Sequence, residues 1–245
     1  MIIILKGKKV IIFDMDGTLI DSVGIWNKTD EILIEKLANK KIQVPNIQQV
    51  RDSILAECKS DDIYLEYCSF LGKRFKSSLS AKEILDLRWN ISNQYIKNQI
   101  DYKPNADRLL HLLKKQGYIL ALATTTTNIQ LNVYRNVNQN IKQKADIDAM
   151  FDIVLSKEDV KEKKPSPEIH NKLMKILGVK PNDCLIIEDS LIGVQAGKNA
   201  GIEVAVMYDK YSDEDREKID RIADYSFSSF NEIIKQFEIE KGDER

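Results

Sequence analysis

The sequence is poor in the side chains that bring nitrogen or sulfur to an active site. Its 245 residues hold two histidines, His111 and His170, each inside a run of helical period (LLHLLKK and EIHNKLMKIL). Both read as structural, so a Ser-His-Asp triad or a histidine zinc site lacks its parts. The three cysteines, Cys58, Cys68 and Cys184, are odd in number and have no CxxC spacing. That argues against a disulfide framework and a cysteine zinc site, and favours reduced, buried thiols. A basic excess is missing too: 37 Lys plus Arg against 38 Asp plus Glu leaves a formal net charge of −1. Nucleic-acid binders normally show a basic balance or face, so no such partner is expected. No apolar run is long enough to span a membrane. The run Ile2 to Leu5 is too short for a signal-peptide core and follows no basic segment. A cytoplasmic location is the default expectation.

What remains is ordinary globular material, 43% hydrophobic and 31% charged. The length suffices for one large core, or for a core domain with a smaller companion. The charges read as solvated helix faces. Val10 to Phe13 is an apolar, β-branched run ending at Asp14, the pattern of a buried strand. Ile2 to Leu5 is expected as an extra strand turning back at Lys6-Gly7-Lys8. From Ser22 to Lys103 the period becomes helical, as in TDEILIEKLANK and SAKEILDLRWNISNQYI, and strand-like runs disappear. Ser60 before Asp61-Asp62, and Ser80 with Glu83, carry N-cap signals, the second a capping box.

After Pro104 strands and helices alternate. Helices are expected over Asn105 to Gln116, Pro167 to Leu177 and Val194 to Ala200, each stopped by a glycine. Strands are expected at Ile119 to Ala123, Phe151 to Leu155, Leu185 to Ile187, Val204 to Met207 and Tyr225 to Phe227. Such alternation implies βαβ units, a parallel sheet and an α/β, doubly wound Rossmann-like core. The strands are apolar throughout, as helices on both faces require. The charged tail Glu238 to Arg245 is expected to fray. The domain reading is a Rossmann-like core from 1–21 and 104–245, with an inserted all-helical domain at 22–103.

Ligands of open parallel sheets bind beyond the carboxyl ends of the strands. The first strand ends on Asp14-Met15-Asp16-Gly17-Thr18, the second on Thr124, and a later one on Glu188-Asp189. Lys164-Pro165 lies in the loop after the third strand. Carboxylates gathered at one edge repel, so they normally hold a cation. Oxygen ligands without His or Cys favour a hard ion, and Mg²⁺ is the default beside phosphate. A carboxylate can also attack phosphorus to give an aspartyl phosphate. A hydroxyl and an ammonium would bind the other phosphate oxygens, and Gly17 permits close backbone approach.

These segments resemble the four motifs of the haloacid dehalogenase-like (HAD) hydrolase superfamily. Asp14-Met15-Asp16-Gly17-Thr18-Leu19 with Asp21-Ser22 is similar to the first, Thr124 after ILALA to the second, and Lys164-Pro165-Ser166-Pro167 to the third. Glu188-Asp189-Ser190, with Gly193 and Ala200-Gly201, is similar to the fourth. The resemblance covers residues 8 to 208 and implies roles. Asp14 would be the nucleophile, and Asp16 the acid that protonates the leaving oxygen and then activates water. Mg²⁺ would take oxygens from Asp14, the Asp16 carbonyl and Asp189, with Glu188 a partner behind them. Asp14, Gly17, Thr124 and Lys164 would bind the phosphoryl group. Thr125 to Thr127 read as helix caps and receive no role; Asp21 reads as structural or a cap.

The helical insert stands where this family puts its cap, and the resemblance is nearest to the subgroup of β-phosphoglucomutase and small sugar-phosphate phosphatases. Mutases of that type carry a His soon after the first motif and a Gly-x-Ser-Arg cap motif. Gly24-Ile25-Trp26-Asn27 and Val50-Arg51-Asp52-Ser53 offer neither. The preferred expectation is a Mg²⁺-dependent phosphatase acting on a small phosphorylated metabolite, with a hexose phosphomutase and a non-catalytic binding protein as alternatives. Arg51, Lys73, Arg74 and Lys76 could meet an anionic substrate or form a solvated basic loop. Trp26 and Trp89 read as core.

Overall fold

The computed structural model describes residues 3–57 and 62–243. Ser60, Asp61 and Cys58, named above as a cap signal and a buried thiol, lie outside them. The chain divides into two compact units, Met1–Ser22 with Ile100–Arg245, and Val23–Gln99.

The second unit consists of α1 (Val23–Ala38), α2 (Ile47–Glu57), α3 (Ile63–Arg74) and α4 (Ala81–Asn98). Asp62 caps α3 by accepting from the Leu65 amide at 3.0 Å. The expected capping box opens α4: the Glu83 amide donates to Ser80 Oγ, and the Ser80 amide donates to Glu83 Oε2 at 2.7 Å. Leu33, Tyr67, Leu71 and Ile84 build the core of this unit. That core also holds charge. The buried Asp30 carboxylate accepts from Arg88 Nε at 2.6 Å and from Arg51 Nη1 at 3.0 Å. The Arg88 guanidinium lies 4.8 Å from the centre of the Trp26 ring, which meets Trp89 edge-on. Burial works against the Arg88 charge, yet Asp30 outweighs it and raises the pKa. The solvated-loop reading of Arg51 is therefore corrected: a short-range carboxylate draws it inside. Lys73, Arg74 and Lys76 are exposed.

The first unit carries β1 (Val10–Phe13), β2 (Ile119–Ala123), β3 (Ile153–Leu155), β4 (Cys184–Glu188), β5 (Glu203–Met207) and β6 (Tyr225–Phe227). They form one parallel sheet in the order β3-β2-β1-β4-β5-β6. This is the doubly wound α/β arrangement expected from the alternation of elements, with its strand order reversing beside β1. Its helices are α5 (Ala106–Lys115), α6 (Asn128–Asn136), α7 (Gln139–Lys144), α8 (Ile147–Met150), α9 (Glu168–Leu177), α10 (Leu191–Asn199), α11 (Arg216–Ile222) and α12 (Phe230–Asp243). Val10 and Ile12 pack with Leu173 of α9 and Val194 of α10. Ile11 and Phe13 point to the other face and are equally buried. Each such isoleucine contributes roughly 1.5–3 kcal/mol of burial.

The expected strand at Ile2 to Leu5 is a 3-10 turn over Ile3–Leu5. The sheet has no place for it beside β1, whose two edges already pair with β2 and β4. The expected strand from Phe151 shortens to Ile153–Leu155 because α8 runs up to Met150. In the charged tail α12 runs on to Asp243, its first turns packed by buried Phe230, Ile233 and Ile234, and the last two residues lie outside the described residues. Among the described residues no helix is long and apolar enough to cross a membrane.

Candidate active site

Three adjacent strands, β2, β1 and β4, deliver their last residues to one edge. The Asp14 amide continues the ladder to the Ile187 carbonyl at 3.0 Å, and the Thr124 amide does the same to Leu155 at 3.0 Å. Asp14, Thr124, Glu188 and Asp189 thus leave the sheet together, beside the reversal of strand order. Lys164 arrives from the loop after β3. Its Nζ donates to Asp14 Oδ1 at 2.7 Å and to Glu188 Oε1 at 2.8 Å, with all three side chains buried. Burial would lower the pKa of this ammonium, but Asp14 and Glu188 outweigh it and hold it above the usual lysine range.

Glu188 is fully engaged. Its Oε2 accepts from the Asp189 amide at 2.6 Å and the Ser190 amide at 2.7 Å. Gly193 makes this possible, since a Cβ there would lie 1.7 Å from Glu188 Oε1. Asp189 is turned differently: Thr18 Oγ1 donates to its Oδ1 at 2.5 Å, and Ser212 Oγ stands 3.5 Å from its Oδ2. Gly17 adopts φ +86°, and a Cβ on it would come within 2.6 Å of Asp189 Oδ2. Only glycine satisfies both the left-handed backbone and the close approach.

Of the three buried carboxylates Asp14, Glu188 and Asp189, the first two share the ammonium of Lys164, while the positive charge felt by Asp189 comes from Lys103. Burial, then Glu188 and Asp16, push Asp14 up to about 7 against the pull of Lys164. Burial, Glu188 and Asp14 raise Asp189 well above the carboxylate range. Excess negative charge on buried carboxylate oxygens, with no His or Cys beside them, fits a hard divalent cation. Among the described residues no three His, Cys, Asp or Glu side chains form a complete cage. A metal here would have two carboxylates, those of Asp14 and Asp189, and would need backbone, water or substrate oxygens for the rest.

Asp16 stands apart from this cluster in a cradle of hydroxyls. Its Oδ1 accepts from Ser22 Oγ at 2.5 Å and from Tyr134 Oη at 2.9 Å, and its Oδ2 accepts from Thr126 Oγ1. Gln130 Nε2 donates to Tyr134 Oη at 2.7 Å. Thr124 Oγ1 accepts from the Thr126 amide at 3.1 Å and donates to the Thr126 hydroxyl. Thr126 therefore has a place that its reading as a mere cap residue missed, whereas Thr127 does cap α6. Asp21 is exposed, and its amide bonds the Asp101 carbonyl.

The sequence profile of the haloacid dehalogenase-like hydrolases matches residues 11–207, a span holding every residue of this cluster except Ser212. The chain belongs to that family. Among curated HAD relatives, it is 26% identical to a phosphoglycolate phosphatase from Aquifex aeolicus, over 93% of this chain and 95% of the relative. The fold is shared with CbbY from Rhodobacter sphaeroides, solved as a mutant with xylulose-1,5-bisphosphate (TM-score 0.67, 23% identity, covering 91% and 95% of the two chains). It is shared as well with YfnB from Bacillus subtilis, solved bound to magnesium (TM-score 0.70, 17% identity, covering 92% and 96%).

Four of the residues expected from sequence meet directly: Lys164 touches Asp14 and Glu188, and Glu188 receives the Asp189 amide. Asp16 and Thr124 join each other through Thr126. Thr18, Tyr134, Gln130 and Ser212 were not foreseen. Thr18 had the strongest signal, a hydroxyl next to Gly17 in the first motif.

Proposed function

We propose that this HAD hydrolase is a Mg²⁺-dependent phosphatase that hydrolyses a small phosphate monoester, a sugar phosphate, through an aspartyl phosphate. The carrying observation is the Asp14–Lys164–Glu188 bridge, with Asp189 alongside and Asp16 held separately by neutral hydroxyls. The phosphatase name of one relative and the bisphosphate bound to the CbbY mutant support the substrate class.

In this reading Lys164 and Thr124 hold the phosphoryl oxygens, and the ammonium offsets repulsion between phosphate and Asp14. A carboxylate oxygen of Asp14 bonds phosphorus while the bond to the leaving oxygen breaks. Asp16 gives its proton to that oxygen. Asp16 then takes a proton from water, the water oxygen bonds phosphorus, and the Asp14–phosphorus bond breaks to release inorganic phosphate. Asp14 and Asp189 would hold Mg²⁺ together with the Asp16 carbonyl. The ion would neutralise charge on the phosphoryl oxygens. Glu188 positions Lys164 rather than the metal. The helical unit Val23–Gln99 would act as the cap that selects the leaving group.

The test is phosphate release from a panel of monoesters with Mg²⁺. Activity on sugar phosphates, lost at least about 10³-fold in Asp14→Asn, supports the reading. Retained activity in that variant would remove Asp14 as nucleophile. Conversion of a hexose 1-phosphate to its 6-phosphate without net release would make the protein a mutase.

A further inference from the structure

The helical unit contains a groove that the phosphatase reading does not use. It lies where the end of α1 meets the loop after it and the end of α3, with a cavity volume of about 630 Å³. Ile34, Ile42, Val44, Phe70 and Phe75 line it. Phe70 and Val50 leave 42% and 43% of their surface exposed there. Three cations, Lys40, Arg74 and Lys76, and the amide of Gln43 are the polar side chains of the lining, and among the described residues no acidic one joins them. Among the described residues the side chains of all three lack an ion pair or hydrogen bond. Lys76 is held at φ +50°, a left-handed conformation unfavourable for a lysine.

Cations on the ends of two separate segments, over an apolar floor, define the chemistry of an occupant. A neutral apolar ligand would leave the ammonium and guanidinium groups unanswered. A small hydrophilic anion would leave Phe70 and Phe75 against water. The volume falls in the ~300–1,000 Å³ range of small-molecule sites. A protein partner would need on the order of 1,000 Å² of total buried surface, which a groove of this size does not supply. We propose that this groove binds a small anionic amphiphile, an aliphatic or aromatic body carrying a carboxylate or phosphate. The proposal is independent of the catalytic reading, since every lining residue belongs to Val23–Gln99.

Decanoate is the probe, titrated calorimetrically into the full chain. Saturable one-to-one binding is expected. Octanoate should bind about fifteenfold more weakly, since each methylene is worth about fourfold in affinity. Decanol, which keeps the chain and loses the charge, should bind at least about tenfold more weakly, as should decanoate to a Lys40→Glu, Arg74→Glu variant. The chain-length and charge comparisons use the unaltered protein, so the test survives a variant that fails to fold. Absence of saturation, equal affinity for decanol, or indifference to chain length would overturn the proposal. So would binding to phosphatidylglycerol vesicles or to an acidic amphipathic peptide without binding of decanoate, because either would assign the face to a macromolecule.

Discussion

Tyr134 Oη lies 2.9 Å from Asp16 Oδ1, joining α6 to the loop after β1 across 118 residues of sequence. The phenol is buried, and burial together with the neighbouring Asp16 charge raises its pKa well above 10. It therefore stays protonated and donates. In the proposed mechanism Asp16 would have to keep its carboxylate oriented through two proton transfers, and Tyr134 is the bulkiest of the three hydroxyl donors that hold it. Tyr134→Phe should lower kcat about tenfold while KM changes less than about twofold, in line with losing one hydrogen bond to a charged group. Steady-state kinetics on a monoester would check this. An unchanged kcat would leave Tyr134 a packing residue.

Gly193 has ordinary helical geometry, so alanine there tests space alone. Its Cβ would drive into Glu188 Oε1. Gly193→Ala should cost about 1–3 kcal/mol and displace Glu188 from Lys164. Urea unfolding should show the lower midpoint at unchanged m-value. Equal stability would mean that Glu188 has another place to go.

Glu188→Gln keeps shape and removes charge. An amide cannot answer Lys164 Nζ and the amides of Asp189 and Ser190 with two acceptor oxygens. Breaking one partner of a buried pair typically costs about 3–5 kcal/mol. A loss of that order in denaturant unfolding is expected, together with a weaker grip on Lys164.

Metal binding should appear as stability as well as turnover. Mg²⁺ at 100 times its Kd would add about 2.7 kcal/mol to unfolding. A higher Tm with Mg²⁺, abolished by a chelator and by Asp189→Asn, is the expected result. A Tm indifferent to Mg²⁺ in the parent protein would remove Asp14 and Asp189 as its ligands.

His170 sets an acid limit. The ring is buried in α9, neither nitrogen has a partner among the described residues, and burial followed by the charge of Lys164 lowers its pKa to about 3. The unfolded chain takes up this proton near pH 6.5 and the folded one does not. Stability from this group is complete above 6.5 and falls as pH drops from 6.5 towards 3, by up to about 1.4 kcal/mol per unit. His170→Phe should flatten that part of the stability–pH curve. An identical slope in the variant would assign the acid loss to carboxylates.

The sheet and the Asp14–Lys164–Glu188 cluster were legible because each rests on a local signal. A short apolar run marks β1, β2, β4 and β5, and a polar residue at the end of β1, β2 and β4 marks the edge. Lys164 was separable from Lys161 to Lys163 by the proline after it. The hydroxyl cradle was not legible. Ser22, Thr126 and Tyr134 belong to three segments, and nothing local distinguishes a serine before a helix, one threonine of four, or a tyrosine in a helix. Arg88 went unread, and Arg51 was assigned to substrate or solvent, for a similar reason. Charged residues at helical spacing normally face water, and only the packed unit reveals that Asp30 draws both inward.

β1 pairs with Ile119–Leu122 on one edge and with Cys184–Ile187 on the other. During synthesis at ~5–20 residues per second, the strand bearing Asp14 therefore waits on the order of ten seconds for its second neighbour. The helical unit needs no such wait for its own packing, since it is a compact unit within Val23–Gln99. On the ribosome the helical segment can fold well before Asp14 has a sheet to stand on.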